Sequence, residues 1–108
     1  MDKRRAFKIA SAYLSFLINE KKLRINKAYL FGSYSKGTFT KDSDIDLAIV
    51  MPDINDIIET QIQLMVLRRN FSIDIEPHPF NEADFNYSNP MASEILNNGI
   101  ELPLKSDN

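Results

Sequence analysis

Seven residues set the tightest limit on how this chain can fold: Asp44-Ile45-Asp46-Leu47-Ala48-Ile49-Val50. The segment begins with strict polar/apolar alternation and finishes as an unbroken apolar run. Alternation leaves one face of an extended segment in water, whereas a continuous apolar run is buried on both faces. The segment therefore reads as a strand that is open on one face where it starts and buried further along. A strand of that kind belongs in a sheet backed by helices.

The flanking sequence supplies those elements. Phe7, Ala10, Tyr13, Leu14 and Leu17 recur at helical spacing between Arg5 and Lys22, with Lys21 and Lys22 placed to complement a helix C-terminus. Ala28-Tyr29-Leu30-Phe31, ended by Gly32, predicts a short buried strand, and residues 33–43 predict a loop with one helical turn. Asp56 with Glu59 resembles a capping box ahead of a helix marked by Ile58, Ile62, Met65 and Val66 and running to about Arg69. Phe71-Ser72-Ile73-Asp74-Ile75-Glu76 alternates again and predicts a third strand that stops at Pro77. Asn89 can cap a last helix with Pro90 at its first position and Gly99 just past its end, and residues 100–102 predict an edge strand.

With 108 residues, 44% of them apolar and 26% charged, the chain is expected to form one soluble domain over residues 1–108. A chain of this length hides only about 60–70% of its unfolded surface, so a second catalytic domain is not expected. Thirteen Lys and Arg against fifteen Asp and Glu leave a net charge of −2, opposite in sign to the usual nucleic-acid binder. There is no cysteine, hence no thiolate zinc site or thiol nucleophile, and one histidine cannot build a polyhistidine site. The basic start, Lys3-Arg4-Arg5, resembles that of a signal peptide, but Lys8 and Glu20 bracket a stretch too short to span a bilayer and no small-residue cleavage site follows, which predicts a cytoplasmic protein with no membrane partner.

On a strand, Asp44 and Asp46 share one face, and so do Asp74 and Glu76. If the two strands are neighbours, three or four carboxylates converge, and their repulsion calls for a cation between them. All-oxygen ligands select a hard ion such as Mg²⁺ or Mn²⁺. An isolated Asp-x-Asp would more simply be the solvated face of an edge strand. What favours a site is Gly32-Ser33 at the end of the first strand: glycine lets a phosphate approach the backbone, and the Ser33 hydroxyl and nearby amides can donate to it. Lys36 adds positive charge to the same turn, and Lys41 reads either as a second phosphate contact or as a solvated loop charge. A phosphate cradle beside a carboxylate cluster suits metal-assisted phosphoryl or nucleotidyl transfer. His78, between two prolines, reads as a loop residue, and Tyr34 and Phe39 read as exposed aromatics able to stack on a base or a partner.

Phe31-Gly32-Ser33-Tyr34-Ser35-Lys36-Gly37 followed by Asp42-Ser43-Asp44-Ile45-Asp46-Leu47 resembles the G-S-x10-D-x-D signature of the DNA polymerase beta superfamily of nucleotidyltransferases, above all its minimal nucleotidyltransferase branch. The resemblance implies an α/β (α+β) fold, a small mixed sheet of three to four strands with three to four helices. It implies that Asp44 and Asp46 bind two Mg²⁺ ions, that Gly32 and Ser33 hold a nucleoside triphosphate, and that a third carboxylate maps onto Asp74, with Glu76 as the alternative. It gives Asp42 no ligand role. It further implies a partner, a HEPN-domain toxin, to which AMP is transferred from ATP on a tyrosine hydroxyl. Three other readings stay open: an antitoxin that neutralises its partner by contact alone, a transferase acting on a small molecule, and a homo-oligomer in which a second copy brings the acceptor. Net charge and the missing acceptor-binding domain argue against polymerisation of nucleic acid.

Overall fold

The computed structural model describes residues 2–105; Met1 and residues 106–108 of the expected domain lie outside the described residues. Helix α1 (Lys3–Asn19) starts at Asp2, whose side chain accepts from the Arg5 amide. It buries Ala6, Ala10, Tyr13, Leu14 and Leu17. Lys21 and Lys22 fall beyond its end, because Lys22 takes φ 58° and the chain doubles back so that the Leu23 amide reaches the Leu17 carbonyl. That turn brings Leu23 against the core.

Strand β1 (Lys27–Phe31) runs into the single turn α2 (Ser33–Lys36), and β2 (Ile45–Met51) follows the loop. Helix α3 (Ile57–Leu67) is capped by Asp56, whose carboxylate accepts from the Ile58 and Glu59 amides, and ends in a 3-10 turn at Arg68–Asn70. After β3 (Ile75–Asn81) and a second 3-10 turn come α4 (Pro90–Asn98), capped by Asn89, and the two-residue β4 (Ile100–Glu101). The sheet order is β3-β2-β1-β4, with β2 and β3 parallel and the other pairs antiparallel. Among the described residues, a mixed sheet of four strands with four α-helices agrees with the α+β expectation. No helix among the described residues is long and apolar enough to cross a membrane.

The pleat divides the core in two. Ile45, Leu47, Ile49 and Ile75 pack with α1 and with Leu64 of α3, while Tyr29, Ala48 and Val50 pack with Ile95 of α4 on the opposite face. β2 is therefore covered on both faces along its apolar half, while Asp46 near its start is only partly buried.

Three expectations are corrected. The third strand spans Ile75–Asn81 and passes through Pro77 and Pro79 instead of stopping before them. β3 is an edge strand, and since the Ile45 amide donates to the Asp74 carbonyl, even-numbered residues face β2 and the prolines point their missing N–H groups outward, where no ladder bond is lost. The outward carbonyls of Ile75 and Pro77 accept from Arg68 and Gln61. In α3, Ile58, Ile62 and Val66 face solvent, and Leu64 is the side chain that it buries. Tyr34 is not exposed: it is fully buried in the α1-side core and stacks on Phe39 at 4.8 Å.

Candidate functional site

Gly32 ends β1 with φ 73° and ψ −143°, a backbone region reserved for glycine. A Cβ at this position would also overlap the Asp46 carboxylate, so the close approach demands glycine a second time. The chain then turns through α2, where the Lys36 amide and the Ser35 hydroxyl both donate to the Gly32 carbonyl. Ser33, Tyr34 and Ser35 begin that turn, so their amides have no acceptor inside the helix. Strand and turn thus set backbone amides without helical acceptors close to a carboxylate.

Asp46 lies opposite Phe31 of β1 and Glu76 of β3, on the sheet face that carries α4. Its Oδ1 is 3.4 Å from Nε2 of His78, whose ring meets Phe31 edge-on at 5.1 Å. Glu76 pairs with Arg68 at 3.7 Å around the edge of the sheet. Asp44 is exposed in the segment leading into β2, and Asp74 sits in the turn before β3, joined to β2 through its carbonyl. The Tyr34 hydroxyl has its pKa raised, first by burial and then by the charges of Asp74 and Asp2. Lys36 reaches Glu94 of α4 at 3.5 Å, so its charge is shared with a neighbouring acid.

The structure therefore sets Gly32, His78 and, in register, Glu76 beside Asp46, leaves Asp44 exposed ahead of β2 and Asp74 half-buried in the turn before β3, and pairs Lys36 with Glu94. Among the described residues no three His, Cys, Asp or Glu side chains stand close enough together to hold a metal ion. The donor set itself is oxygen-rich and partly open to solvent, which fits a hard divalent cation in kind, although the side chains do not enclose one as they stand.

His78 and Arg68 are the contacts that sequence reasoning missed. The signal for His78 was parity: residues 74, 76 and 78 share a face once the strand is allowed to continue through its prolines. An open cleft lined by Phe80, Asn81, Asp84 and Asn89 lies at the far end of β3, about 16 Å along from the Asp46 pairing at ~3.3 Å per residue, and is separate from this site.

Solved structures share this architecture. A nucleotidyltransferase candidate from Sulfolobus solfataricus is similar at 20% identity with a TM-score of 0.59, over 76% of this chain and 72% of that one. A toxin–antitoxin with AMP-PNP is similar at 20% identity and TM-score 0.54, over 97% of this chain and 75% of that one. A mutant of the toxin–antitoxin MntA-HpeT is similar at 26% identity and TM-score 0.55, over 82% and 68%. No curated protein sequence matches. The family model described as polymerase beta, nucleotidyltransferase matches residues 15–108, which take in β1, the Gly32 turn, β2 and β3. The chain belongs to the polymerase beta nucleotidyltransferase family.

Proposed function

We propose that this chain is a Mg²⁺-dependent adenylyltransferase that moves AMP from ATP onto a hydroxyl of a partner protein, a tyrosine of a HEPN-type toxin, and so acts in the cytoplasm as an antitoxin. The observation that supports the reading is the apposition of the Gly32 turn and Asp46, so close that a Cβ on Gly32 would overlap the carboxylate. Family membership supports nucleotidyl transfer, and the resemblance to toxin–antitoxin structures, one of them with AMP-PNP, supports the partner and the nucleotide.

In this reading the Ser33 hydroxyl and the amides of the turn hold the triphosphate, with Lys36 adding charge. Asp44, Asp46 and Asp74 would hold two Mg²⁺ ions, with Mn²⁺ as a substitute, and Glu76 is the alternative third acid. The ions would neutralise charge on the α-phosphate and acidify the acceptor hydroxyl. Asp74 takes the hydroxyl proton, the acceptor oxygen bonds to the α-phosphorus, and the bond to the β-phosphate oxygen breaks so that pyrophosphate leaves. His78, its Nε2 3.4 Å from Asp46 Oδ1, is the polar neighbour of that carboxylate.

Incubation with α-labelled ATP, Mg²⁺ and the product of the neighbouring gene tests the proposal. Label is expected on that product and is lost in Asp46→Asn, by a factor on the order of 10² or more. Absence of transfer from all four nucleoside triphosphates would reject it. A partner neutralised equally well by an Asp44→Ala/Asp46→Ala chain would instead establish the contact-only antitoxin.

A further inference from the structure

The sheet face that carries Asp46 holds a polar atom whose needs are not met. Among the described residues, Nε2 of His78 is closed off from solvent and has no hydrogen-bond partner, and Oδ1 of Asp46 stands 3.4 Å from it. A buried donor without an acceptor costs the full desolvation of its polar group, and a bare nitrogen lone pair aimed at a carboxylate would be repelled by it. Both penalties vanish if Nε2 carries a proton and closes on Oδ1 by about 0.5 Å, which brings the pair to ordinary N–H···O length. Contacts of catalytic groups are often this loose before substrate arrives.

The backbone holds the ring in place for that contact. His78 lies between Pro77 and Pro79 on β3. Each proline fixes its own φ, and Pro79 confines His78 to extended backbone, so the segment cannot twist the ring off this face. Its register partner on β2 is Ala48, whose methyl leaves the ring room to lean towards Asp46 two residues earlier, and Phe31 of β1 meets the ring edge-on at 5.1 Å. The two oxygens of Asp46 face different neighbours: Oδ1 faces the imidazole, and Oδ2 is the atom that a Cβ on Gly32 would strike first.

A carboxylate left to itself turns about χ2 between two equivalent settings. We propose that His78 is a positioning residue: its Nε2–H binds Oδ1 of Asp46 and so fixes Oδ2 as the oxygen presented at the Gly32 turn. The contact belongs to the folded chain alone, while its consequence for transfer rests on the function proposed above. It adds no chemistry of its own. It removes a rotation that binding would otherwise have to freeze, and loss of such a partner costs about 10–100-fold in affinity or activity.

Because His78 is the chain's one histidine, every imidazole signal in a nitrogen-15 spectrum belongs to it. In the full chain without nucleotide, a slowly exchanging proton on Nε2 is expected, moved downfield by the carboxylate, and Asp46→Ala is expected to return it upfield. A bare Nε2, or a proton whose signal ignores Asp46→Ala, overturns the proposal. Transfer supplies the second arm. His78→Phe keeps the bulk of the ring beside Phe31 and is expected to lower kcat by about 10–100-fold, whereas His78→Gln, whose amide nitrogen can stand in for Nε2, is expected to recover most of it. An undiminished kcat in His78→Phe, or equal losses in both variants at wild-type circular dichroism, also overturns it. If the wild type transfers no nucleotide, the proposed function fails and the Nε2 signal still decides the contact.

Discussion

Gly32 and Asp46 constrain each other, because the backbone turn needs φ 73° and the carboxylate occupies the place of a side chain. Gly32→Ala is expected to cost about 1–3 kcal/mol from backbone strain alone and to displace Asp46. Thermal unfolding and nucleotide transfer should both fall, and wild-type values for either would contradict the geometry. Tyr13 makes a second residue-scale test. Its hydroxyl donates to the Leu64 carbonyl at 2.6 Å in the core, and Tyr13→Phe should cost about 1–2 kcal/mol in a denaturant titration. Burial, opposed in small part by Arg68, raises the Tyr13 pKa above its ordinary 10.0. The folded chain therefore holds that proton more tightly than the unfolded one, and the associated stability is complete below about pH 10 and lost as pH rises further. Tyr13→Phe should show a shallower alkaline loss of stability than wild type, and identical slopes would refute the assignment. The nearness of Gly32 and Asp46 was legible in the sequence, because the motif spacing sets the end of one strand against the start of the next. His78 was not, since its flanking prolines suggest a loop and only the edge position of β3 makes them compatible with a strand.

Helix starts were readable because caps are local: Asp56 and Asn89 each accept from two amides of the first turn, as their positions in sequence implied. Asn89→Ala should cost roughly 1 kcal/mol, seen as a lower unfolding midpoint. The buried face of α3 was not readable, because Ile58, Ile62 and Val66 are as apolar as Leu64 and periodicity cannot rank two apolar stripes. What decides between them is contact with Tyr13 of α1 and with the sheet, which is nonlocal. Leu64→Ala should therefore cost about 2–5 kcal/mol, the usual range for a fully buried leucine. An effect below 1 kcal/mol would mean that α3 packs through another face. β3 shows the same limit: its alternation was visible, but its true start at Ile75 is set by pairing with Ile45.

At the scale of the molecule, β2 joins an antiparallel and a parallel neighbour, and this mixed arrangement brings the end of β1 and the start of β3 to the start of β2. The expectation of converging acids rested on that neighbourhood, and the register pairs Asp46 with Glu76. A ligand that binds only the folded chain stabilises it by about 2.7 kcal/mol at a hundredfold excess over its dissociation constant. Mg²⁺ with a non-hydrolysable ATP analogue should accordingly raise the unfolding temperature of the wild type and leave Asp44→Asn/Asp46→Asn unmoved. Equal shifts in the two chains would place binding elsewhere. The blunt rims of the sheet carry a further consequence. Along β3 the prolines remove outward donors while Arg68 and Gln61 occupy outward acceptors, and on the other rim β4 is two residues long. Neither rim can template an added strand, so the native chain should neither seed cross-β fibrils nor capture extended peptides by β-augmentation.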